Sequence, residues 1–501
     1  MTTPPPTATA GLVSEALAKD RLGVADIVFF QMSAATPFTV VAGVVTTAYA
    51  VTGMTAIPFG FIAVAAILAL FSVGYVAMSR HVVNAGAFYA YISRGLGRIP
   101  GVAAAMIALV AYNMMQVGLY GIFGVATAQL LSDKFGWTLP WWGIALVAWA
   151  VTAALGVRSV NINSRVLSVL LCAEVAVILV FDAVFLTHPA HGYDPAPLAP
   201  ANLLSAGAGA LLVLGVTGFV GFEHSTIFAE EARNPRRTVP LATYTTIGII
   251  AVLYATSAWG MALVTGTGSI VASSQKAGVG LIFGLAAPYV STVVVDIANV
   301  LLITSILAAM ISFHNACARY GFALGRERVL PASFGRTAPA SGAPRNASIA
   351  QSVLGFAVIV CFAVSGLDPM VWLFFAGGTT GAFGVLCLIA AASIAVVCFF
   401  LRDRRGENAW RRLWAPILAS IALLWVLYQA AINFAALLGV APDSPLRWQL
   451  PSVFAVAAVV GVGIAVWMRI RHQHRYARIG LGAHAATGRT TGSAALLTQE
   501  G

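Results

Sequence analysis

The chain has 501 residues, of which 59% are apolar and only 9% charged, and its mean hydropathy is +0.89. That composition excludes a soluble globular domain and a disordered chain, and it fits a protein that crosses a membrane many times. A net charge of +11 invites a nucleic-acid reading, but the placement of the charges speaks against one. The five cysteines (Cys172, Cys317, Cys361, Cys387 and Cys398) fall inside apolar runs without a CxxC pair. They read as small packing residues, so no disulfide framework, zinc site or other cofactor is expected.

Residues 1–25 are polar and contain prolines, with no apolar core of a signal peptide, so the first helix is expected to direct insertion itself. Apolar runs long enough to cross a bilayer, about 20 residues each, then predict twelve spans. They cover 26–50, 55–80, 100–131, 140–156, 162–187, 203–226, 239–265, 290–325, 346–366, 369–400, 413–438 and 450–470. Long continuous runs of this kind are helical and not the short alternating segments of a β-barrel. With the N-terminus placed in the cytoplasm, all but Lys134, Lys276 and Arg447 of the 28 basic residues fall on the inner side. That asymmetry places both termini in the cytoplasm of a multi-pass cell-membrane protein. It also explains the basic surplus as a topological signal and an attraction to anionic lipid, not to nucleic acid. The tail, 471–501, is basic and rich in small residues, and is expected to be disordered.

Two spans are interrupted. In the first, Ser33-Ala34-Ala35-Thr36-Pro37 puts two hydroxyls and a proline at mid-depth, and the helix should kink or break near Thr36. The sixth reads GVTGFVGFEHSTIFAEEARNPRRTVP from Gly215 to Pro240. Glu223 stands there at a depth where a charge is costly, next to Gly218 and Gly221, which weaken the helix. A buried, hydrogen-bonded glutamate in a kinked helix and a functional carboxylate remain alternatives at this point. Breaks at matching positions of two halves are the sequence pointer to an inverted-repeat transporter. The halves are 26–187 and 203–400, with 413–470 as two peripheral helices.

GFVGFE followed by AEEARNPRRTVP resembles the sixth-helix signature of the amino acid–polyamine–organocation (APC) transporter superfamily. SAATPFTVVAG in the first span and NAGAFYAYISRGLG (Asn84 to Gly97) are similar to other stretches of that family. The resemblance covers about residues 20–400. It implies an all-α polytopic fold, five-plus-five inverted repeat with broken helices 1 and 6 and two extra C-terminal helices, taking a substrate at the midplane. By position, the resemblance assigns a substrate carboxylate to the backbone at Ser33, Ala34, Ala35 and Thr36, where a half-helix begins with free amides. It assigns an amino group to the carbonyls around Thr217, Gly218 and Phe219, a place beside the substrate to Gly221, and proton-dependent opening to Glu223. Two departures stand out. Thr217 occupies a place where several relatives carry an aromatic gate; either Phe219 or Phe222 substitutes for it or the pocket is roomier. Glu174 occupies a place where some relatives carry a lysine, an acid in place of a base that, if buried, could itself titrate and take part in proton coupling.

Other polar groups leave choices open. Asn113 and Gln116 either line the pocket or bond between helices. His224 either shares a proton with Glu223 or is satisfied by a carbonyl. Asp182 and Asp296 read as solvated vestibule residues. Phe374 and Phe375 beside Gly377, Gly378 and Gly381 suit an outer gate or tight packing. Glu230, Glu231, Arg233, Arg236 and Arg237 read as ion pairs closing the inner face, or as a solvated turn.

No HExxH, GxSxG or GxxxxGK[ST] is present, so neither a membrane enzyme nor an ATP-driven pump is indicated. A channel would show repeated filter residues. The expected function is a secondary active permease for an amino acid or related organic amine, proton-coupled or exchanging. The runner-up is a carrier of polyamines or other organic cations.

Overall fold

The structure is a computed structural model and describes residues 17, 20–158, 160–204, 208–338 and 341–482. Among these residues the regular structure is helical, with only isolated β-bridges at Leu22–Ala232 and Ala190–Gly192. Among the described residues, eleven helices are long and apolar enough to cross a membrane: Val24–Thr52, Ile57–Ser79, Arg98–Phe135, Ile162–Thr187, Ala208–Ile227, Pro235–Thr265, Thr292–Arg326, Arg345–Ser365, Met370–Arg402, Trp410–Ile432 and Leu446–Arg471. The remaining expected span, the fourth, is Trp141–Gly156. Its 16 residues rise about 24 Å, short of a bilayer core of about 30 Å.

The twelve helices are numbered here as spans in chain order. The first and sixth are the most buried of the long ones. The first packs against the fifth, seventh and eighth, and the third against the eighth, tenth and twelfth. Outward faces are apolar, with Val169, Val252, Val364 and Val459 exposed, as a lipid-facing surface requires. One end of the bundle gathers Arg21, Arg80, Arg319 and Arg326 and is called the basic end below.

Both interruptions are real gaps in the helix. The first helix stops at Ala35, Thr36 turns left-handed (φ 46°), and a new helix starts with Pro37 as its first residue. Proline suits that start because an opening amide has no intrahelical partner to lose. It then widens into π turns over Val40–Val45. The sixth span is regular over Ala208–Phe219, opens at Val220 to Glu223, and closes with a short turn, His224–Ile227. Gly221 holds φ at 115°, a value that a side chain strains against. Gly218, expected to help break this helix, stays helical and lies under Phe61, Val40 and Tyr254.

Two further expectations are corrected by packing. Asp182 is not a solvated vestibule residue: it is buried and accepts a hydrogen bond from Ser257 Oγ at 2.9 Å. Glu230 and Glu231 do pair, but with arginines of the eighth span and not with the arginines of their own turn. Arg319 grips Glu231 (Nε–Oε2 2.6 Å, Nη2–Oε1 3.0 Å), and Arg326 grips Glu230 (2.6 and 2.8 Å). Two planar forks of this kind outmatch local pairing with Arg236 and Arg237, which remain exposed. Asp296 is half-exposed and forms an ion pair with Lys134 at 2.6 Å, as a vestibule residue would.

Candidate functional site

Breaking a helix inside a membrane strands amides and carbonyls that no water can reach. Here four of the stranded groups are met by specific side chains. In the first span, the Phe38 amide donates to Glu174 Oε1 at 2.5 Å, and the Ala35 carbonyl accepts from Tyr254 Oη at 3.0 Å. In the sixth, the Gly221 amide donates to Glu223 Oε2 at 2.9 Å, and the Phe222 carbonyl accepts from Gln31 Nε2. Gln31 in turn accepts from Thr246 Oγ1 at 3.0 Å, and Ser312 Oγ donates to the Phe30 carbonyl at 2.7 Å. A buried carboxylate therefore caps each break. Glu174 also accepts from Ser305 Oγ at 2.8 Å, and Glu223 from Tyr112 Oη at 2.7 Å.

The two breaks abut. A methyl group on Gly221 would lie 2.6 Å from Ala34 Cβ and 2.9 Å from the Ala35 nitrogen, so only glycine lets the two backbones meet. From this junction a cavity of about 360 Å³ runs away from the basic end. Ala34, Ala35 and Thr36 of the first break and Thr217 and Val220 of the sixth span form its floor. Met115, Leu119 and Ile122 of the third span form one wall, and Phe374, Phe375 and Thr379 of the tenth form another. Exposed Gln129 and Phe375 mark its mouth. The Phe374 and Phe375 rings meet edge-on at 5.1 Å.

Of the residues singled out from sequence, Ala34, Ala35, Thr36, Thr217, Phe374, Phe375 and Gly378 face this cavity. The others stand behind it. Ser33 is buried, and its hydroxyl has no partner among the described residues. Asn113 bonds to the Leu109 carbonyl of its own helix, and Gln116 to Tyr120 Oη. Phe219 packs on Phe61 and Tyr254, and Phe222 on Phe71. His224 lies between Tyr112 and Phe313 with Nε2 3.8 Å from Glu223 Oε1 and neither ring nitrogen hydrogen-bonded. Thr39 was not singled out, yet it lines the cavity and carries a buried, unbonded hydroxyl. One turn past a proline break, it was the position to suspect. Gln31 was visible as a lone amide in an apolar run, whereas nothing marked Tyr254.

The basic end is shut. Phe30 stacks on Phe228 at 4.2 Å and Arg319 covers that ring at 4.4 Å, directly beside its ion pair with Glu231. The Leu22 carbonyl accepts from the Arg233 amide at 2.9 Å; the Arg233 side chain is exposed. Glu327, just beyond the eighth span, is fully buried. Burial pushes its carboxyl above the ordinary range, against the pull of Tyr89, Gly480, Gly482 and Arg326.

Residues 22–465 match the family model described as "Amino acid permease". Over 424 residues the chain is 24% identical to "Cationic amino acid transporter 7, chloroplastic" of Arabidopsis thaliana, covering 80% of this chain and 68% of that one. It is 25% identical over 305 residues to "Uncharacterized amino acid permease YecA" of Bacillus subtilis (strain 168), covering 59% and 67%. It is 24% identical over 280 residues to "Branched-chain amino acid permease BcaP" of the same organism, covering 55% and 54%. With two abutting helix breaks, a cavity between them and a family match over most of its length, the chain belongs to the amino acid permease family of the APC superfamily.

Proposed function

We propose that the chain is a secondary active carrier that binds its amino acid where the two breaks meet and moves it by alternating access. The abutting breaks at the floor of a shared cavity carry this reading, because they bring the dipole ends of half-helices to one point, as a zwitterion requires. The cavity opens away from the basic end while aromatic and ion-pair layers close that end. With the basic end in the cytoplasm, as the charge asymmetry favours, this is an outward-facing state of a cell-membrane protein whose termini lie inside.

Protons are the coupling ion in this reading. Glu223 and Glu174 each accept a backbone amide at a break, so protonating either one removes an acceptor from the site and alters the break it caps. His224, beside Glu223, is the neighbour placed to exchange that proton. The test is uptake of labelled amino acids into proteoliposomes with and without an imposed inward proton gradient. Gradient-stimulated uptake supports proton symport. Uptake that requires an internal amino acid and ignores the gradient assigns exchange in its place.

A further inference from the structure

The cavity also bears on which amino acids fit, an inference that rests on the carrier reading above. Among the described residues that line it, none is charged. The polar groups are hydroxyls of Thr36, Thr39, Thr47, Thr217 and Thr379, and the amide of Gln129 at the mouth. Thr217 is already bonded to the Val213 carbonyl.

Among the described residues, no acid near mid-depth lines the cavity. Glu174 and Glu223 are turned to the breaks, and Asp182 lies behind the wall with Ser257. Asp133 holds Gln129 in solvent, and Asp296 holds Lys134. The space beyond the junction is bounded instead by Val40, Met115, Leu119, Leu302 and Phe313. A cationic side chain there would give up its water for no counter-charge, which is costly in an apolar site. An aliphatic one gains about fourfold in affinity for each methylene it buries.

We infer that this permease selects neutral amino acids with aliphatic side chains and rejects lysine, arginine and polyamines, unlike its relatives named as cationic transporters. The test is uptake of labelled leucine into proteoliposomes, challenged by excess valine, methionine, alanine, arginine or putrescine. Valine and methionine should compete strongly, alanine about tenfold or more weakly, and arginine and putrescine not at all. Thr217→Asp, or Thr379→Asp should the first fail to fold, should add competition by arginine. Arginine competing with the unaltered protein as well as valine does would overturn the selectivity and leave the carrier standing. Uptake of none of these compounds would overturn the carrier reading itself.

An independent observation concerns the basic end. The tail from 471, expected to be disordered, is ordered through Gly482, with 483–501 outside the described residues. It returns to the basic end, where Gly480 and Gly482 donate their amides to Glu327 Oε2 (2.5 Å) and Oε1 (2.7 Å). Tyr89 Oη and Asn84 Nδ2 supply two more donors at 2.5 and 2.8 Å. Both glycines are left-handed (φ 79° and 59°), and a methyl on Gly482 would meet the Val83 carbonyl at 3.0 Å. Glu327 adjoins Arg326, whose partner Glu230 also accepts the Ala85 amide at 2.9 Å. Strap and gate pair thus share one network.

The geometry points to Ile479–Gly482 as a strap that must leave Glu327 before the basic end can open. The test combines Gly480→Val with Gly482→Val in the full chain, with Glu327→Gln as a shape-preserving second variant. Hydrogen exchange in 220–233 and leucine exchange in proteoliposomes should both rise, by about tenfold for each charge-assisted bond lost. Unchanged protection and rate in both variants would overturn the strap.

Discussion

Gly221→Ala is the substitution that bears hardest on the junction. Alanine at φ 115° is strained, by about 1–3 kcal/mol. Its methyl would start 2.6 Å from Ala34 Cβ, so one backbone must retreat by about 1 Å, and forcing an extra methyl into packed structure costs about 1–3 kcal/mol. Together these make about 2–6 kcal/mol, against a total stability of about 5–15 kcal/mol for typical proteins. The strain is relieved by spreading the breaks, so a substrate that needs both must restore it on binding. If only about 1.4 kcal/mol of the cost reappears in that step, affinity falls tenfold. The assay is the melting temperature of the purified protein with and without a titrated amino acid, which yields stability and apparent Kd together. The variant should melt lower and need at least about tenfold more ligand for the same shift. An unchanged melting temperature with an unchanged Kd would refute the close approach on which the site is built.

Glu223→Gln keeps the size of the side chain but can no longer exchange a proton; its uptake should lose its pH dependence between about pH 5 and 8 while the protein folds normally. A wild-type pH profile would reduce Glu223 to a cap on the break. Glu174→Ala leaves the Phe38 amide without its acceptor and should cost about 1–3 kcal/mol, measured as a fall in melting temperature; no fall would mean that the half-helix needs no such cap. Glu231→Ala strands Arg319, which is buried beside it, and should destabilise the closed basic end by about 3–5 kcal/mol, read as faster hydrogen exchange around 228–233. Unchanged exchange there would show that the pair does not hold this end shut.

Local chemistry made the breaks legible in the sequence. Pro37 cannot continue a hydrogen-bonded helix, and a glycine such as Gly221 next to a mid-membrane acid signals opened backbone. Apolar length gave the spans for the same reason, and only the fourth came out short of a full crossing. What could not be read was who satisfies whom. Phe38 and Glu174 are 136 positions apart, and Gln31 and Phe222 are 191 apart; nothing in a local window chooses such partners. The same blindness paired Glu231 with its neighbours, when Arg319 of another helix reaches it in better geometry. It also left Asn113 as a possible wall residue, although its amide turns back onto its own helix.

The most direct test of the central claim is counterflow. Proteoliposomes loaded with unlabelled leucine are diluted into labelled leucine, for the unaltered protein and for Gly221→Ala. A carrier working through the junction of the breaks predicts a transient overshoot of internal label with the unaltered protein and little or none with the variant. An equal overshoot in both would move the site away from the junction, and none for any amino acid would contradict carrier function.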